Sequence, residues 1–438
     1  MRTSTPNANY RAQFIEVPLA SFPKELAKIV FERWPNMVAG DYALPLCPPL
    51  PLLRQLLEIC YLTASAPEES RYPQFNVIAL PKNDAEIPES AGRMYRFSSE
   101  RPLSVSELRR LAPATDIKKS AILVLWDERG WSIGGLFDLG TSWHRARSGL
   151  EYRYRSPNNF FAQVDRPGRL RVYQGPYHVA SLADGVVLTS RFEFNLVLHE
   201  VASRGLAKMD GSIDPPLYEH PKEYEGFEFI AAINTYAAIA NAISMAGHGG
   251  MIVIIDGENG LNKSLIKLKY EIGSDNLKSE FIYYINKRHE IGDYYELSED
   301  GHLVPEGVIY RSELALSDRF EALVEATRLV ASLSGCDGSI VISDDLNLNG
   351  FGGEIKAEIS PEVDIFEVID EMQRKYKKCD IEQFGMRHRS AVKLASQDEK
   401  SVALVISQDG PISAVWRENK KVFVKKDVNL VNMNMPWA

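Results

Sequence analysis

A proline-containing segment in the middle of the chain separates two regions with different sequence patterns. The segment GSIDPPLYEHPKEYEG, residues 211–226, combines three prolines with charges of both signs. Proline fixes φ and lacks a backbone N–H group, so such a run is typical of a linker between domains. A chain of 438 residues is also long enough for two domains. We therefore predict an N-terminal domain over residues 1–190, a linker over 191–225 and a C-terminal domain over 226–438.

The N-terminal region has the pattern of a sheet preceded by helices. A helix is predicted over Lys24–Trp34, and the proline-rich run LPLCPPLPLL predicts a rigid turn that leads into a second helix from about Leu52. Short apolar runs then recur between turn-forming clusters, which indicates strands joined by turns. These runs are FNVIAL, SAILVLW, WSIGGLF, LRVYQG and GVVLTS. The pattern predicts a sheet-rich α+β domain.

The C-terminal region alternates between helix and strand. The alanine-rich run FEFIAAINTYAAIANAISMAG predicts a helix that ends at Gly247, and ALSDRFEALVEATRLVASLSG predicts another with Ser317 as its N-cap. Strands are predicted for MIVIID, LIKLKYEI, SIVIS, VALVI, ISAVW and KVFV. Alternation of this kind predicts an α/β domain with a central mixed sheet flanked by helices.

Composition narrows the classes of function. The net charge of −9 argues against general binding to nucleic acid, because an acidic surface repels phosphate chains. The four cysteines show no C-x-x-C spacing, so they predict neither a zinc site nor a disulfide framework. The N-terminus lacks the apolar core of a signal peptide, and we expect no membrane-spanning segment. A cytoplasmic protein is the expectation.

The segment GMRHRSAVKLA, which begins at Gly385, has the pattern of an anion-binding helix start. Arg387, His388 and Arg389 follow the glycine and lead into an amphipathic run. A helix N-terminus presents unpaired N–H groups and a partial positive charge, and guanidinium groups bind phosphate bidentately. The pattern therefore predicts a polyphosphate site. A surface cluster of salt bridges is the structural alternative.

A second motif, SGCDGSIVIS, places Asp337 at a glycine-bearing turn before a strand. A carboxylate there can bind Mg²⁺ or Mn²⁺ or orient a hydroxyl group for attack, although an ordinary Asp-Gly turn has the same pattern. Two glycine-rich stretches accompany it. GHGG, with Gly249 and Gly250, precedes a strand, and Gly350–Gly353 follows the Asp337 strand with Phe351 available to stack on a base.

The order of these motifs resembles the diadenylate cyclase domain family, over about half of the chain from Tyr224 onward. That family has a D-G-A motif, a downstream R-H-R motif and a strand that ends in a polar turn. The counterparts here are Asp337-Gly338-Ser339, Arg387-His388-Arg389 and Ser407-Gln408-Asp409-Gly410. The sheet-rich region ahead of them resembles, less closely, the DACNV-like sensor domains that precede such cyclase domains in some bacterial proteins.

The resemblance implies an enzyme that condenses two ATP molecules into cyclic di-AMP and two pyrophosphates. Two such domains face each other, and each 3′-hydroxyl attacks the α-phosphate of the other ATP, so a homodimer or a higher homo-oligomer is required. The implied catalytic residues are Asp337, Gly338 and Ser339, and the implied ligands of Mg²⁺ or Mn²⁺ are Asp337 and Asp409. The implied nucleotide and phosphate contacts are Arg387, His388, Arg389, Ser390, Gly350, Phe351, Gly352, Gly353, Gly249, Gly250 and Ser407.

Three departures from the family pattern bear on activity. Ser339 replaces alanine, Met386 replaces threonine, and the polar turn is shortened to Ser407–Gly410, which leaves Asp409 as its one carboxylate. Two alternatives to the cyclase therefore stay open: a degenerate domain that senses ATP or a cyclic dinucleotide, and an enzyme that joins other nucleotides. The sequence does not identify the ligand of the N-terminal domain, the preferred metal or the oligomer beyond a dimer.

Overall fold

The computed structural model describes residues 21–36, 47–68, 71–84, 92–140, 159–175, 177–183, 185–188, 193–209, 211–217, 227–274, 276–299, 301–370, 375–408, 412–426, 428 and 430. These residues form eight α-helices and two mixed sheets, which confirms the predicted α+β fold class. The helices are α1 (Pro23–Arg33), α2 (Leu50–Ala64), α3 (Val105–Leu111), α4 (Glu193–Lys208), α5 (Phe227–Ala246), α6 (Asn276–Glu299), α7 (Glu306–Ser332) and α8 (Met386–Gln397).

The N-terminal sheet has eight strands in the order β2-β4-β3-β1-β5-β6-β7-β8. Its β1 and β3 are parallel, and its other neighbours are antiparallel. Helices α1, α2 and α3 pack on one face, where Leu56, Val77 and Ile122 belong to the same buried cluster. The strands are β1 (Phe75–Pro81), β2 (Arg93–Pro102), β3 (Ser120–Asp127), β4 (Gly130–Asp138), β5 (Phe160–Arg166), β6 (Arg169–Gln174), β7 (Tyr177–Ala183) and β8 (Val186–Leu188).

The C-terminal sheet follows the order β10-β13-β12-β9-β16-β17-β18-β14-β15, and β11 also pairs with β13. Only the pairs β9–β12 and β14–β18 are parallel among the described neighbours. The strands are β9 (Gly250–Ile255), β10 (Ile266–Lys267), β11 (Tyr270–Ser274), β12 (Ser339–Ser343), β13 (Leu348–Ile355), β14 (Asp364–Asp370), β15 (Lys375–Lys378), β16 (Val402–Ile406), β17 (Ile412–Glu418) and β18 (Lys421–Lys425).

Alternation of side chains along the central strands builds a core on each face of this sheet. Ile252 and Ile254 of β9 lie in the cluster formed with α4, α5, α6 and α7. Met251, Val253 and Ile255 lie in the cluster formed with α8. Helices therefore flank the central sheet on both faces, as the sequence predicts.

Several predicted elements differ in detail. The run LIKLKYEI forms two short strands, β10 and β11, rather than one, and both pair with β13. Ser317 is not an N-cap, because α7 already begins at Glu306. Helix α5 ends as predicted, with Gly247 in the left-handed region at φ 75°.

Helix α5 bears on the expectation that the chain has no membrane-spanning segment. By length and composition, Phe227–Ala246 passes as a candidate membrane span, with a mean hydropathy of 1.4. In the fold, 61% of that window is buried, and Tyr236 and Ile239 are fully enclosed. The core of the C-terminal region accounts for this composition, so the helix is weak evidence for a membrane.

The segment predicted as a linker contains ordered structure that belongs to the C-terminal core. Leu198, Val201 and Ala202 of α4 are buried in the same cluster as α5. Residues 211–217 lie along α6, where Asn286 Oδ1 accepts from the Asp214 N–H group at 3.0 Å. The domain boundaries themselves stay a prediction.

Candidate functional site

Three strands of the C-terminal sheet bring the predicted motifs to one edge. Ile340 of β12 pairs with Ile252 of the parallel strand β9. Gly338, two residues before Ile340, therefore lies level with Gly250, two residues before Ile252. On the other side of β9, Ile406 at the end of β16 pairs with Gly250. Because neighbouring strands are about 4.8 Å apart, these three positions span roughly 10 Å. We call Gly338, Gly250 and Ile406 the site edge.

Gly338 packs directly against the glycine-rich stretch of β13. Its φ is +118°, a conformation that side chains rarely adopt. A Cβ atom on Gly338 would lie 2.5 Å from the carbonyl carbon of Gly352 and 2.8 Å from the nitrogen of Gly353. The structure therefore brings the Asp-Gly motif and the Gly350–Gly353 stretch together, as the resemblance implies.

Ser339 is structural in this arrangement. The side chain is fully buried, and its hydroxyl group donates a hydrogen bond to the Gly353 carbonyl at 3.1 Å. The departure from alanine thus ties the start of β12 to β13. Asp337, two residues earlier, is exposed, and no hydrogen bond or ion pair joins its carboxylate to another residue within the described part of the chain.

Helix α8 begins beside the site edge. Gly385 is its N-cap, and no side chain caps the first turn, so backbone N–H groups at the start of the helix remain available to a ligand. Arg387 extends toward β9 and β16. A Cβ atom on Gly249 would lie 2.9 Å from Arg387 Nη1 and 3.0 Å from the Gln408 nitrogen. Arg387, Gly249 and the end of β16 therefore meet, and Ser407 lies half-buried at that end.

His388 faces away from this meeting point. Its ring stacks on Phe384, with centroids 6.1 Å apart, and Lys426 lies over the same Phe384 ring. Burial lowers the pKa of His388, and the charge of Lys426 lowers it further. The imidazole is therefore neutral near pH 7. Its Nε2 atom is buried and has no hydrogen-bond partner in the described structure.

Arg389 is held by an acidic neighbour. Its Nη1 atom lies 2.8 Å from Glu382 Oε2, and both side chains are substantially exposed. Ser390, the next predicted contact, is half-buried on the following position of the helix. Of the three cationic residues predicted to act together, the structure thus directs Arg387 alone toward Gly249.

Phe351 contacts another aromatic residue of the sheet. It pairs with Tyr270 of β11, and the two rings stack with centroids 4.7 Å apart. Lys269 Nζ lies 5.6 Å from the centre of the Tyr270 ring. Phe351 packs with the cluster on the α5–α7 face, whereas α8 covers the opposite face. Tyr270 is not among the predicted site residues, although it lies in the run LIKLKYEI, which predicts a strand.

The predicted metal ligands are only partly described. Asp409 lies outside the described residues, so Asp337 is the one member of the predicted pair whose position is known. Among the described residues, no group of three or more His, Cys, Asp or Glu side chains is arranged to hold a metal ion. A single exposed carboxylate fits Mg²⁺ held jointly with nucleotide phosphates, a common mode for that ion.

Comparison with known proteins finds a match for part of the N-terminal region. The family model described as "Probable sensor domain DACNV" matches residues 42–138. This span runs from ahead of α2 to the end of β4, so it covers the first half of the N-terminal sheet. DACNV is a probable sensor domain of diadenylate cyclase-associated proteins, and the match supports the predicted sensor domain. No diadenylate cyclase family model matches the C-terminal half. No curated protein and no solved structure matches the chain.

Proposed function

We propose that the protein is a diadenylate cyclase whose activity is regulated by its N-terminal sensor domain. The observation that carries the proposal is the meeting of Arg387 with Gly249 and the end of β16, next to a strand start that bears Asp337. A phosphate-binding cation, free helix N–H groups and an available carboxylate then lie around one edge. In-line phosphoryl chemistry depends chiefly on such positioning and on neutralised charge.

Each group has a distinct part in this proposal. Arg387 and the first N–H groups of α8 bind phosphate oxygens of ATP. Asp337 orients the 3′-hydroxyl group and, with the phosphates, holds Mg²⁺ or Mn²⁺, which supplies charge neutralisation when bound. His388 supports the start of α8 by stacking on Phe384, and its neutral ring adds no charge to the phosphate site. Because one domain carries one ATP, product formation requires two copies of the chain placed face to face.

A second function is favoured by a specific observation, the ion pair between Arg389 and Glu382. A guanidinium group committed to a carboxylate is a poorer phosphate ligand. The buried hydroxyl group of Ser339 likewise adds a structural bond rather than a catalytic group. These features fit a domain that binds ATP or a cyclic dinucleotide without turning it over and that acts as a sensor.

Incubation of the full chain with ATP and either Mg²⁺ or Mn²⁺, followed by chromatography of the products, separates the two functions. The cyclase produces cyclic di-AMP and pyrophosphate, and the sensor leaves ATP unchanged while still binding nucleotide. Arg387→Ala should weaken ATP binding by about 10-fold or more, the usual effect of losing a charge-assisted bond. Lys393→Ala is the matched control, because Lys393 is a cation on the same helix that pairs with Glu358 instead.

A further variant tests the Arg389–Glu382 pair. Glu382→Gln removes the carboxylate charge while it keeps the side-chain shape, so Arg389 becomes available to phosphate. Tighter ATP binding by Glu382→Gln supports a nucleotide site at the start of α8. Equal loss of binding in Arg387→Ala and Lys393→Ala, or no binding by the unmodified chain, would reject that site.

A further inference from the structure

The opposite ends of the two central strands carry a buried cluster of charges. Asp256 directly follows β9, and Asp344 directly follows β12. Asp256 is 4% exposed and Asp344 is 1% exposed. The same two strands start at the site edge, with Gly250 as the first residue of β9 and Gly338 directly before β12. Buried carboxylates at this depth require strong partners, because the loss of hydration is costly.

Helix α4, from the predicted linker, supplies the main partners. Lys208 Nζ lies 2.8 Å from Asp344 Oδ2 and also contacts Asp256 Oδ1. Arg204 Nε donates to Asp344 Oδ2 at 3.2 Å. Lys400 completes the cluster, at 2.6 Å from Asp256 Oδ2. One helix therefore bridges the ends of both strands.

The charges of the cluster stabilise one another. Burial raises the pKa of Asp256, but hydrogen bonds from Lys208 and Lys400 outweigh this effect and hold the pKa well below its usual range. Burial lowers the pKa of Lys208, but its two carboxylate partners raise it more. Asp256 and Lys208 are therefore both charged at neutral pH.

The backbone of α4 also touches the end of β12. A Cβ atom on Gly205 would lie 1.8 Å from the Asp344 carbonyl oxygen, so only glycine permits this approach. On the same side, Leu198, Val201 and Ala202 are buried in the core that contains Ile252 and Ile340. The helix is thus fixed to the C-terminal sheet by backbone contact, apolar packing and buried ion pairs.

The other end of α4 leads to the N-terminal sheet. Strand β8 ends at Leu188 and α4 begins at Glu193, so four residues separate them. Four residues span at most about 14 Å, so a short covalent connection joins the last strand of the N-terminal sheet to the helix. A displacement of β8 therefore has a short covalent route to α4.

We propose that helix α4 is the coupling element that transmits the state of the sensor domain to the site edge. A shift of α4 moves the ends of β9 and β12 through Arg204, Lys208 and Gly205. Strands within a close-packed sheet move as units, so the shift reaches Gly250 and Gly338, each six residues from the charged end of its strand and about 20 Å away at roughly 3.3 Å per residue. This inference rests on the proposed function in one respect, because it takes the site edge as the nucleotide site.

Hydrogen–deuterium exchange on the full chain tests the first half of the coupling. Arg204→Gln weakens the hold on Asp344 while Lys208 and the Gly257 N–H group still satisfy that carboxylate. We expect faster exchange at the site edge, in peptides that contain Gly338 and Gly250, by about 2- to 30-fold, the range typical of coupling mutations. Ser203→Ala, at an exposed position of α4, is the control and should change nothing.

A double-mutant cycle tests the sensor side. Val187→Ala removes two methyl groups from half-buried β8, which packs on the N-terminal core. We expect this variant to alter exchange at the site edge in the Ser203→Ala background and to have a much smaller effect in the Arg204→Gln background. The exchange readout needs no turnover, so it remains decisive even if the chain makes no cyclic dinucleotide.

Two results would overturn the coupling role of α4. In the first, Arg204→Gln accelerates exchange only next to Asp256 and Asp344 and leaves the site edge unchanged. In the second, Val187→Ala acts on the site edge equally in both backgrounds, or in neither. If the chain makes no cyclic di-AMP but the exchange experiments give the expected results, the proposed function is rejected and the coupling role of α4 stands.

Discussion

Replacement of Gly338 by alanine is the sharpest test of how the candidate site is built. The residue adopts φ +118°, and its missing Cβ atom would lie 2.5 Å from the carbonyl carbon of Gly352. The obstructing atoms belong to the backbone of β13, so no side-chain rotation relieves the clash. Gly338→Ala must therefore either separate β12 from β13 or change the turn that carries Asp337.

The expected cost follows from two contributions. A non-glycine residue held at such a φ is strained by about 1–3 kcal/mol. Separation of the strands weakens one or two hydrogen bonds, including that of Ser339 to Gly353, at about 0.5–1.5 kcal/mol each. The free energy of unfolding of the C-terminal region should therefore fall by roughly 1.5–6 kcal/mol. For a region of this size, that corresponds to a decrease in Tm of roughly 3–24 °C.

Differential scanning calorimetry of the full chain measures the decrease in Tm, and hydrogen exchange identifies which region opens. Gly335→Ala is the matched control in the same loop, because no atom lies within 4 Å of its missing Cβ and its φ is not positive. That variant should change stability by less than about 1 kcal/mol. If the Tm of Gly338→Ala lies within 1–2 °C of the Tm of Gly335→Ala, the two variants differ by only about 0.5 kcal/mol. The close contact between the Asp-Gly turn and β13 would then be wrong.

Three further predictions concern individual side chains. Asp337→Asn should abolish formation of cyclic di-AMP while ATP affinity changes by less than about 3-fold, because the carboxylate contacts the 3′-hydroxyl group and the metal and does not contact the adenine base. Full activity in a product assay would exclude its catalytic role. Ser339→Ala should lower the free energy of unfolding by about 0.5–1.5 kcal/mol and retain activity, because it loses one hydrogen bond to Gly353; a loss of turnover at unchanged stability would contradict a structural hydroxyl group. Burial lowers the pKa of His289, but its hydrogen bonds to Glu228 and to the Asp214 carbonyl raise it above 6.5 overall. The stabilisation by the His289 charge is therefore complete below about pH 6.5, the ordinary pKa of histidine, and is lost as pH rises through the raised pKa. The Tm values of the protein and of His289→Gln, compared from about pH 5.5 to about pH 9, should converge at high pH, and a constant difference would refute the assignment.

The elements that depend on local pattern could be predicted from the sequence. Helix α8 begins at the predicted glycine, and α5 ends at Gly247, because capping and periodicity act over a few residues. Strands β9, β12, β16, β17 and β18 were recognisable as short apolar runs for the same reason, whereas β13, β14 and β15 were not predicted. Helix α6 was not predicted, since polar residues interrupt its apolar positions and its contacts with α7 select the helix.

The candidate site was predicted as a set of motifs, but its geometry was not. Arg387, His388 and Arg389 are consecutive, and successive residues of a helix point about 100° apart. One sequence motif therefore supplies three directions: toward Gly249, toward Phe384 and toward Glu382.

The charge cluster at the far strand ends lies beyond any local pattern. Lys208 is 48 residues from Asp256 and 136 residues from Asp344, so nothing in the neighbouring sequence marks them as partners. Local sequence pattern predicted helices α5 and α8, the short apolar strands and the order of the motifs, because these follow from interactions between nearby residues. Two features became known only from the tertiary structure: which cation of the motif faces the site edge, and the packing of α4, which lies in the predicted linker, on the C-terminal core. Both depend on contacts between segments that are distant in the sequence.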